Sequence, residues 1–252
     1  MSSDKNIERD RYDRRAQDLI KNSSGSFAEN ILSISQVLRA PYSCYYDCIK
    51  NQLSGDINVL EIGAGIGAHT GVLLQSGAQV IASDISTYSL EVLANRYSSY
   101  VNLSTQAADM ESLPFHDNSF DFVTSAGSLS YGDNQLVMQE IYRVLKPGGK
   151  FIAVDSLNHN WIYRFNRYLH YKRGERSLST LKRMPTLSLI NQYKKKFGSC
   201  DVKFFGAISW AMPMVSRLIG QGKAAQLSDL FDHTFCVNKN AFKFVMICKK
   251  GC

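Results

Sequence analysis

Three carboxylates stand where chemistry could use them: Glu61, Asp84 and Asp109. Glu61 lies two residues before Gly63 in the run VLEIGAGIG, residues 59–67, where a short apolar segment meets a glycine-rich turn. Glycines belong where the chain reverses tightly and where a missing Cβ lets a ligand reach the amides that open the next helix. The turn alone has two readings, because Gly63, Gly65 and Ala68 also satisfy the G-x-G-x-x-G/A fingerprint of a dinucleotide site. Glu61 weighs against a dinucleotide: a carboxylate beside a pyrophosphate is unfavourable, whereas beside a cationic ligand it is acceptable. Asp84 ends the next apolar run, VIASD, 21 residues after Gly63, where a side chain accepts hydrogen bonds from ribose hydroxyls of either ligand. Asp109 ends a third run in QAADMESLPF, with Met110 beside it able to cover the face of a purine ring. Three acids at three consecutive strand ends define one crevice.

The elements that must position these acids alternate. INVLEIG, AQVIASD, NLSTQAAD, FDFVTSAG and KFIAVD read as strands; helices are predicted over about 68–75, 88–97 and 134–145. Strand and helix repeated in this way imply a parallel sheet covered on both faces. DVKFFGAI and AFKFVMICKK are two further strands, the last at or near a sheet edge with its lysines meeting water. The first fifty-odd residues look helical, including a segment with Ile31, Ile34, Val37 and Leu38 at helical spacing. Lys146-Pro147-Gly148-Gly149 reads as a helix stop, with Lys146 complementing the helix C-terminus. Tyr142 and Lys146 also make the Y-x-x-x-K of short-chain dehydrogenases, but they abut that stop and the expected preceding glycine pattern is absent.

Composition bounds the rest. At 252 residues, with 44% hydrophobic and 20% charged residues, the chain is one globular domain, residues 1–252. It divides into an N-terminal helical cap (1–54), a ligand-binding core (55–155), a basic helical insert (156–199) and final strands with an intervening helical segment (200–252). The charged N-terminus lacks a signal-peptide core and no stretch approaches eighteen uninterrupted apolar residues, so a soluble cytoplasmic protein is expected. Six cysteines without a C-x-x-C pair read as reduced thiols, and no metal site is expected.

Together these residues resemble the class I S-adenosylmethionine-dependent methyltransferases, in particular the small-molecule group related to ubiquinone and menaquinone methyltransferases. The resemblance spans residues 57–155, through LEIGAGIG, SDIS, ADMESLPFHDNSFDFVTSAGSL and EIYRVLKPGGKFIAVD in that order. It implies a doubly wound, mostly parallel, seven-stranded α/β sheet of Rossmann-like type, with S-adenosyl-L-methionine as cofactor. It further implies that Glu61 and the loop Gly63, Ala64 and Gly65 hold the methionine end, and that Asp84, with Ile85 beside it, holds the ribose. Asp109 would receive the adenine amino group, Met110 would pack on the base, and Ser125 would line the methionine side. Tyr12, in RYDRRA, would help close the site. A looser resemblance of the segment SLNHNWIYRFNRYLHYKRGERSLSTLKRMPTL is to methyltransferases encoded with bacterial surface-polysaccharide pathways.

The insert carries the chain's charge. Residues 156–199 hold ten Lys/Arg and one acid, Glu175, whereas the whole chain is +7, so the remainder is −2. Interleaved aromatics make the insert either a solvated amphipathic helix pair or an acceptor-side cover that grips phosphate or carboxylate with Arg. A charged stretch also suits nucleic acid, but Ser125-Ala126-Gly127-Ser128 replaces the Asp/Asn-Pro-Pro-Tyr of amino-methylating nucleic-acid enzymes, and no Pro-Cys nucleophile is present. The expected acceptor is therefore small or glycan-like and anionic, such as a nucleotide-sugar or a polysaccharide precursor, methylated on oxygen or nitrogen. His159 and His170 are the first candidates for a general base, with Tyr131 and Asp155 behind them; His69 and His116 are expected near the cofactor. AMPMVSRLIG reads as a buried helix or a lid in preference to a membrane-touching helix. The alternatives are an NAD(P)-dependent oxidoreductase, or a protein that keeps the cofactor pocket without turnover.

Overall fold

The computed structural model describes residues 3–22, 34–173, 177–235 and 237–251. Its core is a seven-stranded sheet: β1 (Asn58–Ile62), β2 (Gln79–Asp84), β3 (Leu103–Ala107), β4 (Phe120–Ala126), β5 (Leu145–Ser156), β6 (Ser199–Phe205) and β7 (Lys243–Lys249). The strands lie in the order β3-β2-β1-β4-β5-β7-β6. The first five are parallel, and β7 runs antiparallel between β5 and β6. The last strand in sequence is therefore next to the edge, and the edge itself is β6. Central strands are buried on both faces: four of the five β1 residues are enclosed, Glu61 among them. Edge strand β3 is mostly exposed, as a half-covered edge requires.

Helices cover both faces. On one, α2 (Ala40–Gln52) and α3 (Thr70–Leu74) pack Tyr45, Ile49, Leu73 and Leu74 onto Val59, Val80 and Ile152. On the other, α5 (Asn134–Val144) and α8 (Leu187–Phe197) pack Ile141, Val144, Tyr193 and Phe197 onto Leu60, Val123 and Phe151. The remaining helices are α1 (Ser3–Asn22), α4 (Thr87–Arg96), α6 (Trp161–Lys172), α7 (Leu178–Arg183), α9 (Met212–Ile219) and α10 (Gln221–Thr234). Their starts follow local chemistry: Ser86, Asp133, Asn160 and Thr186 accept hydrogen bonds from first-turn amides of α4, α5, α6 and α8.

Several sequence expectations are corrected. Helix α5 does stop at Val144, but residues 145–149 are not a connection ahead of the strand; they already enter β5, where Leu145 pairs with Phe120 before the register shifts. Lys146 turns away to Asp121, donating to both carboxylate oxygens at 3.0 and 2.9 Å. Lys250, from beyond β7, takes the role expected of it, donating to the Tyr142 and Leu145 carbonyls at 2.8 and 2.6 Å. Cys200 and Cys248 are not reduced thiols: they face each other across β6 and β7 and are joined as a disulfide, while Cys44 and Cys48 are free. Cys236 and Cys252 lie outside the described residues, as do Ile31, Glu175 and Arg176. Where a helix was expected through Leu38, the described part is a 3-10 turn over Gln36–Leu38. Lys243 does not meet water at its strand end; it is buried, with its ammonium over the Tyr42 ring at 4.9 Å. The helix within AMPMVSRLIG is not buried either, since only Met212 of α9 is enclosed.

Candidate active site

The cavity lies where the strand order reverses, at the carboxyl ends of β1, β2 and β4, the place where open α/β sheets take ligands. It measures about 250 Å³. The turn after β1 forms its floor. Gly63 (φ 64°) allows β1 and the loop after β4 to close on each other, because a Cβ there would stand 2.3 Å from the Ser128 Cβ. Gly65 (φ 54°) is different: its missing Cβ would meet no protein atom, so its backbone is bare on the cavity wall.

Asp84 fastens this turn. Its Oδ2 accepts from the Gly65 amide and its Oδ1 from the Ser86 amide, both at 2.9 Å. Burial pushes its carboxyl above the ordinary range, and those amides pull it back. Deeper lies Glu61, 2% exposed, accepting from the Thr70 hydroxyl at 2.6 Å. Burial raises Glu61 to about 7, and the neighbouring Asp84 charge adds to the rise. An electronegative floor of this kind repels a pyrophosphate and favours a cation. Asp109, also on the wall, accepts from the Glu111 amide at 3.0 Å, with Met110 beside it.

Helix α1 closes the cavity from above. Tyr12 and Ala16, one turn apart, line it, and Asp13 accepts a hydrogen bond from Ser86, the residue that caps α4. Tyr12 meets Tyr131 edge to face, with ring centroids 5.4 Å apart, and burial keeps its phenol protonated. His69 lines the wall, stacked on Tyr42 at 5.1 Å with its Nδ1 2.8 Å from the Tyr46 hydroxyl. Burial lowers its pKa to about 4, so the ring is neutral at pH 7.

Of the residues singled out in the sequence, Tyr12, Gly63, Ala64, Gly65, Asp84, Ile85, Asp109 and Met110 meet at this cavity. Glu61 and Ser125 do not line it: both are enclosed beneath it, Ser125 with its hydroxyl 2.7 Å from that of Ser128, which does line it. Neither His159 nor His170 belongs to the lining. His159 is exposed in the loop after β5 and His170 is in the last turn of α6, because α6 leaves the sheet rim outward. Asp155 is buried and accepts from the Leu129 amide at 3.0 Å, a structural bond. The sequence reading missed Ala16, Gly127 and Ser128. The i, i+4 spacing of Tyr12 and Ala16 was the available signal for the first.

Comparison with known proteins agrees with this geometry. Residues 60–153 match the family model described as a methyltransferase domain. The chain is 32% identical over 173 residues to the sterol 4-C-methyltransferase strm-1 of Caenorhabditis elegans, covering 67% of this chain and 48% of that protein. It is 38% identical over 102 residues to a demethylmenaquinone methyltransferase of Clavibacter sepedonicus, covering 38% and 40%. The chain thus spans less than half the length of these curated relatives. Among solved structures, phosphoethanolamine N-methyltransferase 2 of Haemonchus contortus superposes with a TM-score of 0.59 at 20% identity, over 84% of this chain and 53% of that one. The YcgJ protein of Bacillus subtilis gives 0.56 at 22% identity, over 83% and 99%; both show a shared fold. From its sheet order, its glycine turn with the acids beside it, and the family model over residues 60–153, the chain carries a methyltransferase domain of the class I S-adenosylmethionine-dependent family.

Proposed function

We propose that this chain transfers a methyl group from S-adenosylmethionine to a small-molecule acceptor. One observation carries the reading: Asp84 holds the bare Gly65 turn at the end of β2 while a buried acid, Glu61, lies beneath it. The cofactor, when bound, supplies a methyl group on a positively charged sulfur. The chain's part is to bind and aim. Asp84 has lone pairs left for ribose hydroxyls, Asp109 stands on the wall as the acid that would meet the base amino group, and Met110 offers a polarisable face to the purine. Glu61, although enclosed, favours positive charge above it by field alone. Catalysis then rests on holding acceptor and methyl in line, with Tyr12 and Ala16 excluding water from above.

The base expected of His159 or His170 passes in this reading to His69, the imidazole on the cavity wall. Its depressed basicity suits orienting an acceptor hydroxyl by a hydrogen bond better than full proton removal. The finer acceptor reading, an anionic glycan-like molecule, is supported by the exposed Arg164, Lys172 and Arg173 on and just after α6, the helix that follows β5 at the ligand end of the sheet; Lys194, Lys195 and Lys196, at the end of α8, lie at the opposite rim where β6 begins. The named relatives act on a sterol and on demethylmenaquinone. A lipid-linked anionic acceptor satisfies both lines of support. Calorimetry with S-adenosylhomocysteine and with NADH tests the reading: tight NADH binding with none of the nucleoside would sink it. Single-turnover transfer of a labelled methyl group separates an enzyme from a protein that only binds the cofactor.

A further inference from the structure

Two helices leave the sheet with an unusual outer surface. On α6, Trp161, Phe165 and Leu169 recur every four residues and are 75%, 59% and 37% exposed. At α9 the pattern repeats: Trp210, Met214 and Leu218 are 51%, 69% and 83% exposed. Each is a straight apolar stripe turned to solvent, opposite to what a core-facing helix does. The two helices start from neighbouring points. The Tyr163 hydroxyl on the inner face of α6 donates to the Gly206 carbonyl at 2.6 Å and accepts from the Trp210 amide at 3.1 Å.

Charge decides what covers them. Residues 161–173 and 210–223 contain Arg164, Arg167, Lys172, Arg173, Arg217 and Lys223 and no acid. All but Arg167 are exposed. A second copy seated face to face would bring like charges together, whereas an anionic lipid surface is complementary. Topology decides where they point: α6 follows β5, and the Trp210 loop follows β6, which runs parallel to β5. Both stripes therefore begin at the carboxyl rim of the sheet, the end at which the cavity lies.

We infer that α6 and α9 form a docking surface for an anionic bilayer, with Trp161, Phe165, Trp210, Met214 and Leu218 entering the interface and the flanking Arg and Lys meeting lipid headgroups. Helices of this composition lie in the plane of the interface, and tryptophan is favoured there. Among the described residues no helix is long and apolar enough to cross a membrane, so the contact is peripheral. Docking is independent of the methyl-transfer reading; only the corollary, that the acceptor reaches the cavity from the bilayer, rests on it.

The test uses the chain's only two tryptophans, Trp161 and Trp210, which both lie in the stripes. The full chain, without cofactor, is titrated with vesicles of phosphatidylglycerol and phosphatidylcholine and with phosphatidylcholine alone. Expected are a blue shift of emission and co-sedimentation with the anionic vesicles only, weakened by salt. Arg164→Gln and Arg217→Gln should each lower partitioning about fivefold, from a contribution near 1 kcal/mol per basic residue. Met214→Gln with Leu218→Gln should lower it at least tenfold. These exposed positions leave the core intact, and an unchanged affinity for S-adenosylhomocysteine in each variant verifies the fold. Absence of vesicle binding in a chain that binds the nucleoside overturns the docking surface while leaving the function reading intact. Concentration-dependent dimerisation abolished by the same substitutions would assign the surface to a second copy and equally overturn it.

Discussion

Replacing Asp84 by Asn tests the site at its most constrained atom pair. Both carboxylate oxygens already accept from backbone amides, Gly65 at one and Ser86 at the other. Asparagine has one acceptor oxygen, so whichever way it turns, its NH2 faces one of those donors. A half-enclosed donor left unpaired costs about 1–3 kcal/mol, and the change also removes the charge that ribose hydroxyls would meet. Because Gly65 is bare on the cavity wall, the penalty falls on the surface that touches the ligand. A combined loss of about 2–3 kcal/mol corresponds to roughly 30- to 150-fold weaker binding. Calorimetric titration with S-adenosylhomocysteine measures it, with circular dichroism to establish that the variant is folded. A folded Asp84→Asn variant that binds within threefold of wild type would refute the reasoning, since neither the turn nor the ribose would then depend on this carboxylate.

The other predictions draw on the same cavity. Glu61, raised from 4.5 to about 7 in the fold, binds more protons folded than unfolded, so its contribution to stability falls as pH rises between those values, by on the order of 3 kcal/mol. His69, lowered from 6.5 to about 4, has the opposite sign and adds stability as pH rises from 4 to 6.5. The two oppose each other in the wild type. Melting temperatures of the ligand-free chain from pH 4 to 8 should therefore slope more steeply upward in Glu61→Gln and more steeply downward in His69→Gln; parallel curves for all three proteins would contradict both assignments. Gly65→Ala should cost only the left-handed strain of about 1–2 kcal/mol in stability while weakening nucleoside binding. Gly63→Ala, which meets Ser128 at 2.3 Å, should lose considerably more stability in denaturant titrations. Alanine at His159 or His170, outside the cavity, should leave nucleoside affinity within twofold. Peptide mapping without reductant should recover Cys200 linked to Cys248, and recovery of both as free thiols would contradict the pairing.

Much of the fold was legible in the residues themselves. The alternation of apolar strands with helical segments is a local pattern, and it located five parallel strands because parallel pairing demands a crossover between each pair. The acids at strand ends were legible for the same reason: a strand's carboxyl end is a local property, and the sheet collects such ends in one crevice. What the residues could not show was which side chain turns inward after a strand ends. Ser125 and Ser128 differ by three positions, and the conformation of Gly127, φ 79°, decides that Ser128 lines the cavity. The Cys200–Cys248 pairing was likewise hidden, because it depends on the register of β6 against β7 across 48 residues. The basic insert shows the division most clearly. Its charge and its aromatics were countable from the chain, but their meaning depended on orientation. Only the packed structure decided that Tyr163 turns inward while Trp161 and Phe165 face solvent, because a helix buries the face its neighbours cover and leaves the rest to whatever partner the surface meets.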